Sequence, residues 1–170
     1  MDKGLIHLYW GEGKGKTTAA MGLALRALGG GLGVTVVQFL KDGTSGELEP
    51  LRKLGAAVFS GKAGAGFVFQ MTAEERAATR RLNTEQLRLA LEIPCDLLVL
   101  DEACAAWQLD MVDRDLLKRA VLERPRGREV ALTGREPAPW MVQAAHYSTE
   151  MRCHRHPYHQ GIPARKGVEF

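Results

Sequence analysis

The sequence predicts an α/β fold built on a mostly parallel sheet with helices on both faces. Three observations lead there. Short apolar, β-prone runs alternate along the chain with stretches whose apolar residues recur at helical spacing. The run Leu97 to Leu100 is apolar throughout, as a strand covered on both faces is. The first run passes straight into a glycine–lysine cluster that opens a helix, which makes a βα unit.

The elements follow in order. Leu5 to Trp10 reads as the first buried strand. From Gly15 to Leu28 the residues Ala20, Leu23, Ala24, Ala27 and Leu28 keep helical spacing, and Gly29-Gly30-Gly31 stops the helix. Val34 to Leu40 is a second strand, residues 41–50 a loop, Glu47 to Leu54 a short helix and Ala57 to Ser60 a third strand. The stretch Gly61 to Gln70 is rich in small residues yet carries Phe67 and Phe69. Thr72-Ala73-Glu74-Glu75 has capping-box spacing and opens a long polar helix to about Glu92, which Pro94 ends. Leu97 to Leu100 is a strand that ends in Asp101-Glu102. A helix over Asp113 to Leu122, a strand over Glu129 to Thr133, a helix over Pro137 to Ala145 and a short strand over Tyr147 to Met151 complete the pattern.

A chain of 170 residues is long enough to bury its own core, so residues 1–170 are read as one domain. Hydrophobic residues at 45% and charged residues at 25% place it among soluble globular proteins. A formal charge of +3 demands no polyanionic partner, so neither nucleic acid nor a membrane is expected, while small anionic ligands are favoured. Cys95, Cys104 and Cys153 are odd in number and widely spaced, which suits a reducing compartment, the cytoplasm, rather than a disulfide framework. Leu5 to Trp10 is too short for a signal segment, and no later run reaches membrane-spanning length.

The chemistry begins at Gly11-Glu12-Gly13-Lys14-Gly15-Lys16-Thr17-Thr18, between a strand and a helix. Glycines let backbone N–H groups turn onto phosphate oxygens, where a Cβ would block the approach. The helix N-terminus adds roughly half a positive charge in the same direction. Lys16 can neutralise phosphate, and the Thr17 hydroxyl suits a Mg²⁺ ligand. The usual first glycine of a phosphate loop falls on Trp10. A plain glycine turn with solvated lysines would leave the Gly-Lys-Gly-Lys-Thr-Thr run unexplained. The loop narrows the fold to a P-loop NTPase-like, RecA-like one that binds ATP.

An apolar strand ending in Asp101-Glu102 supplies a carboxylate at the carboxyl edge of the sheet, where a Mg²⁺ (or Mn²⁺) nucleotide site needs one. Alone, that pair reads equally as a helix cap. Spacing leaves open whether Asp101 or Glu102 touches the metal. Arg135, after Thr133-Gly134, can clamp phosphate with its planar fork. Arg26 is a weaker case on the helix that follows the loop. Cys153, His154, His156 and His159 are spaced too tightly for common zinc patterns and read as a polar C-terminal loop. Phe67 and Phe69 either bury one face of a strand or wall a large flat ligand.

Taken together, these residues resemble the P-loop corrinoid adenosyltransferases, the ATP:cob(I)alamin and cob(I)yrinic acid a,c-diamide type, over nearly the whole chain. The resemblance runs from Gly11 to Ala20 through Arg26-Ala27, Val36 to Lys41, Gly66 to Phe69, Val99 to Glu102 and Leu132 to Arg135. It closes with Thr149-Glu150-Met151, His156, Gly161-Ile162 and Gly167 to Phe170. It implies transfer of the 5′-deoxyadenosyl group of ATP to Co(I) of a reduced corrinoid, with release of triphosphate. Cobalt is then the nucleophile, and the protein aims C5′ and stabilises the leaving group. By resemblance Arg26 and Arg135 serve a nucleotide lying reversed relative to ordinary P-loop ATPases, and Phe67 and Phe69 displace the lower axial ligand of cobalt. An electron donor such as a flavoprotein reductase and a homodimer are implied in the same way.

The chain departs from the family pattern in places. Phe69 stands where tryptophan is expected, Glu12 where asparagine is common, and His146 where aspartate is expected. The chain begins almost at its first strand, so the helical extension that covers the partner's corrin site in longer relatives is expected to be missing. Two other classes compete: a P-loop ATPase or kinase that cuts a phosphoanhydride bond, and a non-catalytic ATP- or corrinoid-binding protein.

Overall fold

The computed structural model describes residues 4–63 and 68–169. Its strands are β1 (Ile6–Trp10), β2 (Val34–Gln38), β3 (Ala57–Ser60), β4 (Leu97–Asp101), β5 (Glu129–Gly134) and β6 (Tyr147–Glu150). They form one sheet in the order β3-β2-β4-β5-β1-β6, and each recorded pairing is parallel. The helices are α1 (Lys16–Gly29), α2 (Leu48–Lys53), α3 (Ala73–Glu92), α4 (Ala103–Gln108), α5 (Arg114–Leu122) and α6 (Pro139–Ala144).

Both faces of the sheet are covered, and β4 explains how. Successive side chains of a strand point to opposite faces. Leu98 and Leu100 join one core with Ile6, Leu8, Leu87 of α3, Leu117 of α5 and Met141 of α6. Leu97 and Val99 join the other with Ala20, Met21 and Ala24 of α1 and Leu51 of α2. This is why the run lacks alternation: every residue of β4 is buried. Burying each such leucine stabilises the fold by about 1.5–3 kcal/mol relative to exposure.

Helix α3 starts where its capping box predicts. The Thr72 hydroxyl accepts from the Glu75 amide at 3.2 Å, and the Glu75 carboxylate accepts from the Thr72 amide at 2.8 Å. Among the departures from the sequence reading, three lie at the carboxyl edge of the sheet. β2 ends at Gln38 rather than Leu40, because Leu40 adopts a left-handed backbone, φ 61°, that turns the chain off the sheet edge. Helix α4 has no counterpart in that reading, since it begins directly after the left-handed Glu102, φ 60°, with no side-chain cap to announce it. β6 ends at Glu150, although the Met151 amide still donates to the Trp10 carbonyl at 2.7 Å.

The strand order brings three carboxyl ends together. β1, which feeds the glycine loop, is separated from the acidic strand β4 by β5 alone. Ligands of parallel α/β sheets bind at this edge.

Candidate active site

The loop after β1 is clamped between its neighbours. The Gly11 amide donates to the Arg135 carbonyl at 3.0 Å and the Gly13 amide to the Met151 carbonyl at 2.6 Å. Gly11 and Gly15 have φ of 106° and 113°, which disfavour a Cβ. Gly13 is needed for a different reason: a Cβ there would lie 2.8 Å from the carbonyl carbon and oxygen of Met151. The glycines therefore serve packing as well as phosphate access. Lys16, Thr17 and Thr18 form the first turn of α1, whose amides have no intrahelical acceptor and so are available to an anion.

Lys16 folds over the loop, its ammonium donating to the Gly13 carbonyl at 2.7 Å. Burial holds the Lys16 pKa below the ordinary lysine value, against the opposing charge of Glu102 and with Arg135 adding to the shift. Glu12 turns across the loop mouth, its carboxylate 3.2 Å from the Arg135 guanidinium, both side chains exposed. The negative charge at position 12 is thus paired with Arg135.

Asp101 is the centre of the polar network and is wholly buried. Its Oδ1 accepts from the Thr17 hydroxyl at 2.8 Å and from the Thr133 hydroxyl at 2.7 Å. Its Oδ2 accepts from Gln38 Nε2 at 3.2 Å and lies 2.8 Å from the Lys41 ammonium. Glu102 beside it bears the left-handed φ, a backbone cost on the order of 1–3 kcal/mol that turns its carboxylate toward the loop's charges. Burial first, then the Asp101 charge, push the Glu102 carboxyl above the usual range; Lys41, Lys16 and Arg135 pull the other way. The Glu102 amide donates to Thr133 Oγ1 at 2.8 Å, so one hydroxyl braces both acids.

The structure therefore gathers Glu12, Lys16, Thr17, Asp101, Glu102 and Arg135 around the loop. Thr18 lines a cavity of about 670 Å³ with Thr17, Met21, Leu25, Lys41 and Val168. Arg26 is not gathered: it is exposed in the last turn of α1, and at 1.5 Å per residue that is roughly 15 Å along the helix from Lys16. Phe69 sits on a 3₁₀ turn, Val68–Gln70, and is 79% exposed, so it is not the core face of a strand. It borders a second cavity of about 660 Å³ with Leu40, Lys41, Val68, Leu109 and Arg135. Phe67 lies outside the described residues.

Sequence reasoning gave no role to Gln38, Lys41 or the Thr133 hydroxyl. Beyond their place in the family-like blocks Val36 to Lys41 and Leu132 to Arg135, their signal was position near the carboxyl ends of β2 and β5. His146 also acquires a role: its Nδ1 accepts from the Ile6 amide at 3.1 Å and its own amide donates to the Ile6 carbonyl, pinning the start of β6 to β1. In the tail, Cys153 is exposed and His156 Nδ1 accepts from the Tyr158 amide at 3.2 Å. Among the described residues no group of three or more His, Cys, Asp and Glu is arranged to hold a metal ion.

Comparison with known proteins covers the same features. Residues 2–170 match the family described as ATP:corrinoid adenosyltransferase BtuR/CobO/CobP. A corrinoid adenosyltransferase of Pseudomonas aeruginosa is 34% identical, over 99% of this chain and 85% of its own. One from a Sinorhizobium species is 33% identical over 99% and 81%, and one from Escherichia coli 32% over 99% and 87%. Matched over residues 2–170 and 34% identical to a relative across nearly its full length, the chain belongs to the ATP:corrinoid adenosyltransferase family.

Proposed function

We propose that this enzyme transfers the 5′-deoxyadenosyl group of ATP to Co(I) of a reduced corrinoid and releases triphosphate. The observation that carries the reading is the phosphate loop with Lys16 folded over it and Thr17 bonded to the buried Asp101 at 2.8 Å, in a chain matched to the family over residues 2–170. The electron pair of Co(I) forms the bond to C5′, and the C5′–O bond breaks with its pair on the triphosphate oxygen. No proton moves in that step. The protein's task is to align C5′ and to hold the charge that leaves.

This reading gives the departing phosphates to Lys16, which folds over the loop, to the first-turn amides of α1 and to Arg135. The oxygen-only donors Thr17 and Asp101, with Glu102 alongside, suit Mg²⁺ or Mn²⁺. Such an ion, when bound, neutralises triphosphate charge. Phe69, exposed beside the second cavity, is placed by this reading against the lower face of the corrin with Phe67. An apolar wall there excludes water as a replacement axial ligand and favours the four-coordinate cobalt that is easier to reduce.

The remaining parts of the proposal rest on family likeness and composition. Reduction to Co(I) draws an electron from a donor such as a flavoprotein reductase, the enzyme works as a homodimer, and residues 1–170 act as one domain. The free cysteines suit the cytoplasm; no described helix is long and apolar enough to cross a membrane. The test is anaerobic incubation with ATP, Mg²⁺ and chemically reduced cobalamin, following the corrinoid spectrum and the phosphate product together. A light-sensitive alkyl-cobalt product with stoichiometric triphosphate is expected. ADP and phosphate with an unchanged corrinoid would replace this reading with that of an ATPase.

A further inference from the structure

Asp101 is a carboxylate with no exposure, and among the described residues its side-chain partners Thr17, Thr133 and Gln38 are neutral. Its whole charge compensation among these contacts is the Lys41 ammonium, 2.8 Å from Oδ2. A buried charge persists when it is paired in this way. The same ammonium lies 3.4 Å from Thr17 Oγ1. It thus occupies the neighbourhood of the two oxygens to which the proposed function gives the metal.

Lys41 is built to leave. It follows the left-handed Leu40, φ 61°, which lifts the chain off the end of β2. Its side chain keeps 28% exposure, whereas Asp101 has none. With Ser45 it borders both the cavity beside Thr17 and Thr18 and the cavity beside Phe69. A flexible four-carbon stem lets a point charge move between such positions, which a planar guanidinium on a bidentate site does not do as easily.

We infer that Lys41 is a tethered cation that fills the metal position beside Asp101 and Thr17 until Mg²⁺ enters with the nucleotide, then swings onto the triphosphate. This inference rests on the nucleotide site proposed above. A divalent ion on Thr17 and Asp101 repels an ammonium a few ångströms away, so the two do not share the position. Metal alone must compete with a charge held at high local concentration. Metal arriving with ATP does not meet the same penalty, because the phosphates give Lys41 a new partner. Metal and nucleotide binding are therefore coupled through one side chain, and the coupling is reciprocal.

The experiment titrates Mn²⁺ into the nucleotide-free protein, with free ion counted by electron paramagnetic resonance. Wild type, Lys41→Met (the stem without the charge) and Lys41→Arg (the charge retained) are compared. Lys41→Met should bind Mn²⁺ about tenfold or more tightly than wild type without nucleotide, and Lys41→Arg should stay within about threefold of wild type. A non-hydrolysable ATP analogue should tighten Mn²⁺ binding in wild type and do so less in Lys41→Met. Wild-type Mn²⁺ affinity in Lys41→Met would overturn the inference while leaving the nucleotide site intact. Failure of wild type to bind the analogue with Mn²⁺ would overturn the site itself and the inference with it. Should Lys41→Met not fold, wild type labelled at lysine ¹³Cε decides, the Lys41 resonance being identified by its loss in Lys41→Arg. That resonance should move with Mg²⁺ plus analogue, and a stationary one overturns the inference.

Discussion

Replacing Thr133 by valine removes one oxygen and almost no volume, which isolates the work of that hydroxyl. Thr133 is wholly buried on β5, donates to Asp101 Oδ1 at 2.7 Å and accepts from the Glu102 amide at 2.8 Å. Valine suits a strand, so the ladder of β5 survives. Two losses remain. Asp101, wholly buried, forfeits a hydrogen bond to a charged group, worth about 1.5–3 kcal/mol. The Glu102 amide keeps its donor and loses its acceptor, a penalty of about 1–3 kcal/mol. Because both bonds share one oxygen they do not add in full, and the expected loss is about 2–4 kcal/mol. For a chain of this length that is a fall of roughly 5–15 °C in Tm. Urea unfolding followed by circular dichroism reads it as a lower midpoint at unchanged slope. Thr133→Ser should recover most of the loss. A Thr133→Val protein within about 0.5 kcal/mol of wild type, and with wild-type triphosphate release, would refute the bracing role.

The other expectations concern the loop, the aromatic wall and the thiols. Lys16→Ala removes the ammonium over the loop and should lower triphosphate release about 10²–10³-fold; near-normal turnover would remove Lys16 from the phosphate role. Gly13→Ala drives a Cβ to 2.8 Å from Met151 backbone atoms and should cost about 1–3 kcal/mol in urea unfolding, whereas an unchanged midpoint would mean the Met151 segment yields freely. Phe69→Ala should slow the reaction about tenfold from Co(II) corrinoid plus reductant, and only about twofold from preformed Co(I); equal effects on both would detach Phe69 from the reduction step. Burial pushes the Cys104 thiol up to about 12, which leaves about one thiolate in ten thousand at pH 8. Exposed Cys153 should therefore react first with Ellman's reagent, and a fast second equivalent on Cys104 would show that its cover opens.

The local features of the fold were legible because their physics is local. The capping box at Thr72 places the start of α3, and the apolar run at Leu97 places a strand buried on both faces. What escaped depends on backbone choices that side chains do not announce. Nothing in a leucine or a glutamate signals the left-handed φ adopted by Leu40 and Glu102. Those two residues decide where β2 ends and where α4 begins. The aromatic at 69 was ambiguous for a related reason, since spacing cannot distinguish a strand face from an exposed 3₁₀ turn.

The site divides along the same line. The phosphate loop and the acidic pair are contiguous motifs, so their residue types could be read directly. Gln38 and Thr133 reach Asp101 from other strands and Lys41 from the turn after β2, and their distance along the chain carries no trace of the meeting. Yet Gln38 and Thr133 are placed by register once the order β2-β4-β5 is known. Gln38 lies beside Asp101 in the β2–β4 pairing, and Leu100 pairs with Leu132, so the next residues, Asp101 and Thr133, emerge side by side. A carboxylate at the end of a central parallel strand takes polar partners from the flanking strands only where those strands carry them near their ends. Gln38 closes β2, and Thr133 stands one residue before the end of β5. Strand order was thus the missing datum for these two residues, whereas Lys41 is brought to Asp101 by the left-handed turn at Leu40.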